Sequence, residues 1–205
     1  MKGWDQDGVR ARIREMAARD PGHDRFGANT HRYELTPPQP EVRIRAFEES
    51  HGVALPIEYR SFIAEVGNGP AGPYHGLMPL TVPCPEAGDD WAVDGEWEQD
   101  RLPGRLAKPF TLTEPRPGRI GASAVDALTP GTLMLAEQGC GMFTRLILNG
   151  PRAGEIWQTD PDWGGFIPES PNFRTWYNDW LAPRSCWPRS PAGSSPSTPS
   201  SGSAR

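Results

Sequence analysis

Nine residues near the end of the chain, Phe173-Arg174-Thr175-Trp176-Tyr177-Asn178-Asp179-Trp180-Leu181, restrict its fold more than any other stretch. Phe173, Trp176, Tyr177, Trp180 and Leu181 fall at i, i+3, i+4, i+7 and i+8, the spacing of one helical face. Each buried large apolar side chain is worth roughly 1.5–3 kcal/mol or more, so a helix with this stripe anchors a core and needs a broad apolar surface to cover it. The segment upstream supplies that surface. Residues 132–136 (TLMLA) and 143–148 (FTRLIL) flank a Gly139-Cys140-Gly141 turn, and Asn149-Gly150-Pro151-Arg152-Ala153-Gly154 turns the chain again into 155–160. Three antiparallel strands in a meander follow from that pattern.

The first third of the chain reads as helices. Residues 5–19 carry Val9, Ile13 and Met16 at spacings of four and three, with Asp5 or Asp7 to cap the start and Pro21-Gly22 to stop the run. Residues 40–50 begin at a proline and end before Gly52, and residues 56–66 place Tyr59, Phe62, Ile63 and Val66 on one face before Gly67. Between 77 and 113 the chain is rich in proline and acids; Leu77-Met78-Pro79-Leu80 and Phe110-Thr111-Leu112 read as short strands on either side of a long acidic loop. With 205 residues the chain suits one domain. Residues 184–205 are a Ser/Pro/Gly-rich tail with little to bury, expected to be disordered.

Charge narrows the partners. The net charge is −5, but residues 184–205 hold Arg184, Arg189, Arg205 and no acid, which leaves −8 on the preceding body. That disfavours nucleic acid and anionic membrane and favours a basic protein. Cys84, Cys140 and Cys186 stand singly, without a C-x-x-C pair, and indicate neither a disulfide framework nor a zinc site. The charged N-terminus lacks the apolar core of a signal peptide, and no run approaches the ~20 apolar residues of a membrane span. A cytoplasmic protein is expected.

Gly67-Asn68-Gly69-Pro70-Ala71-Gly72-Pro73-Tyr74-His75-Gly76-Leu77 opens with a match to G-x-G-x-x-G. A dinucleotide fingerprint lies between a strand and a helix N-terminus, which supplies amides and positive dipole to the pyrophosphate. Here a helix precedes the glycines, and Pro70 and Pro73 lack amide donors, so the stretch reads as a stiff turn. Residues 86–100 (EAGDDWAVDGEWEQD) hold seven carboxylates and no base. An EF-hand frame counted from Asp90 fails, with Ala92 at the third ligand position and Arg101 at the twelfth. Besides a plain solvated loop, the segment is the candidate contact surface for a basic protein: Glu86, Asp89, Asp90, Asp94, Glu96, Glu98 and Asp100 steer encounter, and Trp91 and Trp97 supply anchors. His23, His31, His51 and His75 lie in no metalloprotease frame, no serine sits in G-x-S-x-G, and Cys140 lacks a local base. No catalytic, metal or cofactor site is assigned, although a hydrolase using His75 or Cys140 remains an alternative.

Several of these pieces resemble one family. Leu55-Pro56-Ile57-Glu58-Tyr59-Arg60-Ser61-Phe62, the Gly67–Leu77 turn, Gly139-Cys140-Gly141, Leu146-Ile147-Leu148-Asn149-Gly150, Gly154-Glu155-Ile156-Trp157 and the 173–181 helix look like the successive motifs of the SUKH superfamily, over roughly residues 27–182. The superfamily contains fungal cell-wall assembly regulators and many bacterial immunity proteins. The resemblance implies an α+β single domain, with a mixed, mainly antiparallel sheet packed with helices, over 27–183. Residues 1–26 would then be an N-terminal helical extension. It further implies a non-catalytic immunity protein that neutralises a cognate polymorphic toxin by stoichiometric binding, a basic nuclease being the toxin class an acidic body suits. A regulatory scaffold for a cellular protein is the alternative drawn from the fungal members.

Overall fold

The computed structural model describes residues 3–81 and 95–183. The tail and most of the acidic segment lie outside the described residues. Asp5 caps α1 (Gln6–Arg19) by accepting the Gly8 amide at 2.9 Å. After the single turn α2 (Ala28–His31), Pro40 and Pro56 sit just before α3 (Glu41–His51) and α4 (Ile57–Glu65), and Gly52 ends α3 with φ 64°. The aromatic stripe forms α7 (Phe173–Leu181), opened by Asn172, whose side chain accepts the Thr175 amide at 2.8 Å. All five stripe residues are buried, as their spacing requires.

The meander is present as β2 (Thr132–Gly139), β3 (Met142–Ile147) and β4 (Ile156–Asp160). It is extended by β5 (Gly165–Ser170) and the two-residue β1 (Arg116–Pro117) into a sheet of order β1-β5-β4-β3-β2. Every pairing is antiparallel. Strand periodicity then sorts the side chains into two faces. Leu133, Leu135, Leu146 and Ile156 join the residues of α1, α3, α4 and α7 in one large core. The register Met134↔Arg145↔Trp157 turns those three to the opposite face. There Phe110, Leu128, Ile147, Trp157 and Phe166 make a second cluster and Met78, Trp97 and Met134 a third. The result is one α+β domain.

The N-terminal helix packs into the domain: Trp4, Val9, Ile13 and Met16 belong to the main core, and the Trp4 ring meets Phe62 at 5.0 Å. The segments 77–80 and 110–112 are not strands. Pro79 and Pro109 cannot donate to a ladder, and the segments make isolated backbone bonds instead, among them Met78 N–H to Leu135 O at 2.7 Å and Phe110 N–H to Asn149 O at 3.1 Å. The end of the acidic segment is a short helix, α5 (Gly95–Asp100), laid against β2. One more short helix, α6 (Ala122–Leu128), precedes β2.

Candidate functional site

Glu86, Asp89, Asp90, Trp91 and Asp94 lie outside the described residues; Glu96, Trp97, Glu98 and Asp100 are on α5. The helix turns two of these four inward. Asp100 is fully buried, and both its oxygens accept from the Nη1 of Arg145 at 2.8 Å, while Oδ2 also takes the Met134 amide at 2.8 Å. Glu96 accepts from the Nη2 of Arg145 at 3.0 Å. Trp97 is 2% exposed and donates its indole N–H to Pro79 O at 2.8 Å. Trp97 and Asp100 therefore cannot meet a partner across an open surface, which corrects their assignment as contact residues. The reason is Arg145: a guanidinium buried by the sheet requires anions nearby, and α5 supplies them. Glu98 remains exposed and Glu96 partly so.

The Gly67–Leu77 turn directs its polar groups into the protein. Gly69 O accepts from the Thr36 amide at 2.6 Å, the Ala71 amide goes to Glu34 O at 2.6 Å, and the Leu77 amide to Pro70 O at 2.8 Å. Asn68, 1% exposed, accepts the Leu80 amide at 2.9 Å. These contacts make the segment structural. Gly67 serves space rather than backbone angle, since a Cβ there would stand 2.6 Å from Thr36 O.

His31 is buried, its Nδ1 accepts the Tyr33 amide at 3.0 Å, and burial, helped by the Arg25 charge, pushes its pKa down to about 4. His75 shares a 3.2 Å hydrogen bond with Thr30 and lies 5.0 Å from the Phe26 ring. Cys140 is exposed on the β2–β3 turn. No group of three or more His, Cys, Asp or Glu side chains among the described residues is gathered to hold a metal ion.

What the fold does build is a recess of ≈ 380 Å³ where the Gly/Pro turn meets α7 and β5. Tyr74 comes from the turn, Trp176, Asp179 and Trp180 from α7, and Glu169 from β5. Arg25 and Phe26 close the remaining side, with Phe26 63% exposed at the surface. Tyr177 ties the two elements together by donating its hydroxyl to Ala71 O at 2.8 Å. Glu169 is fixed by three neutral donors: the Tyr74 hydroxyl at 2.8 Å, the Trp176 indole N–H at 2.9 Å and the Thr144 hydroxyl at 3.0 Å. Among the described residues no ion pair neutralises Glu169 or Asp179. The Nη2 of Arg25 is buried without a hydrogen-bond partner. Such a site can hold and orient a guest, and its pre-formed carboxylate loses little freedom on binding.

This recess leaves little trace in the sequence: Tyr74 stands in a turn, Trp176 on an apolar helix face, and Glu169 95 residues from Tyr74. Its detectable trace was an acid three residues before the N-cap of an aromatic-rich helix. A larger cavity of ≈ 580 Å³ lies between α3 and Arg101, whose guanidinium reaches the carbonyls of Pro79, Leu80 and Trp97. Phe47, His51, Leu80 and Thr81 are among its lining residues.

No protein-family model matches the chain, nor does any curated protein or any solved structure. No helix among the described residues is long and apolar enough to cross a membrane.

Proposed function

We propose that this chain is a non-catalytic binding protein, an immunity protein of the SUKH kind that neutralises a cognate toxin domain in the cytoplasm by stoichiometric contact. The observation that carries the reading is that two motifs behind the sequence resemblance, the Gly/Pro turn and the aromatic helix, together wall one surface recess holding an unneutralised carboxylate. Exposed Phe26 at its edge offers an apolar anchor, and carboxylates beside an aromatic anchor suit a basic protein surface. A basic nuclease domain is the toxin class this chemistry fits, because sites that bind phosphate are themselves cationic. This reading puts the contact surface on the α7 side of the molecule.

The test is co-expression with the products of adjacent reading frames. Protection from a toxic neighbour, together with a one-to-one complex on size exclusion, is the expected outcome. Hydrogen exchange should then slow around Phe26, Tyr74 and α7 in the complex. Absence of both protection and complex with every toxic neighbour would refute the reading.

A further inference from the structure

We infer that the recess between the Gly/Pro turn and α7 accepts the guanidinium of an arginine side chain from a protein partner, stacked on the Tyr74 and Phe26 rings and held by Glu169. This rests on the proposed function for the source of the guest, but its chemistry follows from the recess itself.

Glu169 carries a negative charge in a half-buried position, and its three hydrogen-bond donors are all uncharged. A carboxylate accepts about four hydrogen bonds. Oε1 has two and Oε2 one, so one acceptor position remains on Oε2. A cation placed there would supply the missing counter-charge and the missing bond at once. Asp179, exposed on the same wall, adds a second anion.

The walls select which cation. Half-buried Tyr74 and exposed Phe26 present aromatic surface to the recess, behind which Trp176 and Trp180 are buried, and the face of such a ring attracts a cation. A guanidinium is planar, stacks on rings and is more weakly hydrated than an ammonium, so it gives up less water on entering an aromatic recess than lysine does. The volume of ≈ 380 Å³ falls in the range of small ligand sites and leaves room for an arginine head and stem. Arg25 works against a cation and sets the lining charge at two anions to one cation. The coulombic pull is therefore modest and the stacking surface decides the preference. A small hydrated ion would feel this weak charge alone and gain nothing from the rings.

The experiment titrates the full-length, 15N-labelled chain with N-acetyl-arginine methylamide, following the indole N–H resonances of Trp176 and Trp180. The neutral isostere N-acetyl-citrulline methylamide and N-acetyl-lysine methylamide are titrated in parallel. A saturable shift of the Trp176 indole is expected with the arginine compound, with the citrulline compound weaker by roughly five-fold or more and the lysine compound in between. Glu169→Gln, which keeps the shape and one acceptor, should weaken arginine binding by a similar factor. If Glu169→Gln disturbs folding, the exposed Asp179→Asn takes its place and should weaken binding about two-fold or more. Equal shifts with citrulline, no saturable shift, or unchanged binding by the folded variants would overturn the inference. A chain that protects against its toxin while ignoring the arginine probe sinks this inference and spares the proposed function; a chain that binds the probe yet protects against nothing does the reverse.

Discussion

Asp100→Asn removes the negative charge closest to a guanidinium that has no access to water. Arg145 is fully buried, and of the three charge-assisted bonds it makes to carboxylates, two end on Asp100 at 2.8 Å and one on Glu96 at 3.0 Å. Its Nε has no hydrogen-bond partner, and the one other side-chain bond of Nη1, to the neutral Thr132 hydroxyl, is long at 3.4 Å, so little compensates for the loss. Breaking a buried pair from one side costs about 3–5 kcal/mol, against a net stability of about 5–15 kcal/mol for a domain. In urea denaturation followed by far-UV circular dichroism, with a slope of about 2 kcal/mol per molar, the midpoint should fall by about 1.5–2.5 M at unchanged slope. Glu98→Lys, on the exposed side of the same helix, should stay within about 0.5 kcal/mol of the parent. Removing both charges, as Asp100→Leu with Arg145→Met, should recover much of the loss because no fully buried charge is then stranded, Glu96 being 30% exposed to solvent. Recovery should be incomplete: Asp100 also accepts the Met134 amide, and leaving that donor unpartnered costs about 1–3 kcal/mol. An Asp100→Asn variant as stable as the parent, or a double variant no better than the single one, would refute a structural role for this pair.

His31 has a native pKa near 4 because burial disfavours its charged form, so the unfolded chain takes up a proton that the native state refuses. Stability from this residue is complete above its unfolded pKa of about 6.5 and declines as pH falls toward 4; about 2 kcal/mol should disappear between pH 7 and 5. Urea midpoints across that range should show the slope in the parent and lose most of it in His31→Gln; parallel slopes would exclude His31 as its source. Gly27 has φ 77°, and a Cβ on it would stand 1.6 Å from Tyr74 O, so Gly27→Ala should cost about 2 kcal/mol or more and displace the Arg25–Phe26 wall from the turn. A thermal melt matching the parent would show that the close approach is dispensable.

Elements with a repeating apolar pattern and a chemical stop were legible in the sequence. Helix α7 and strands β2 to β4 lie where period and turns put them, and α3 ends one residue later than read, at the Gly52 that closes it. Strand β5 escaped notice because Pro168 interrupts its short run, and β1 because two residues carry no period. Helix α5 was hidden by composition: Gly95-Glu96-Trp97-Glu98-Gln99-Asp100 has the polarity of a loop, and its two inward residues, Trp97 and Asp100, are explained only by partners elsewhere. Arg145 held the missing clue. It alternates with Phe143 and Ile147, so if that face is buried an acid must come to it from another element. Charge reversal at Glu96 therefore strikes the Arg145 pair and cannot report on a surface encounter.

The same coupling changes what the acidity of the body means. Net charge favoured a basic partner, yet many carboxylates are already matched inside the molecule: Glu41 and Glu48 with Arg60, Glu58 with Arg174, Glu155 with Arg152, and Glu96 and Asp100 with Arg145. Matched pairs project little field beyond a Debye length of about 8 Å. Long-range steering of a partner therefore falls to carboxylates without an internal cation, and short-range recognition to those set among apolar groups. Glu169 and Asp179 meet the first condition, and Glu169, held between Tyr74 and Trp176, meets the second as well. Position in the fold, more than acid count along the chain, locates the surface on which a basic partner would gain most.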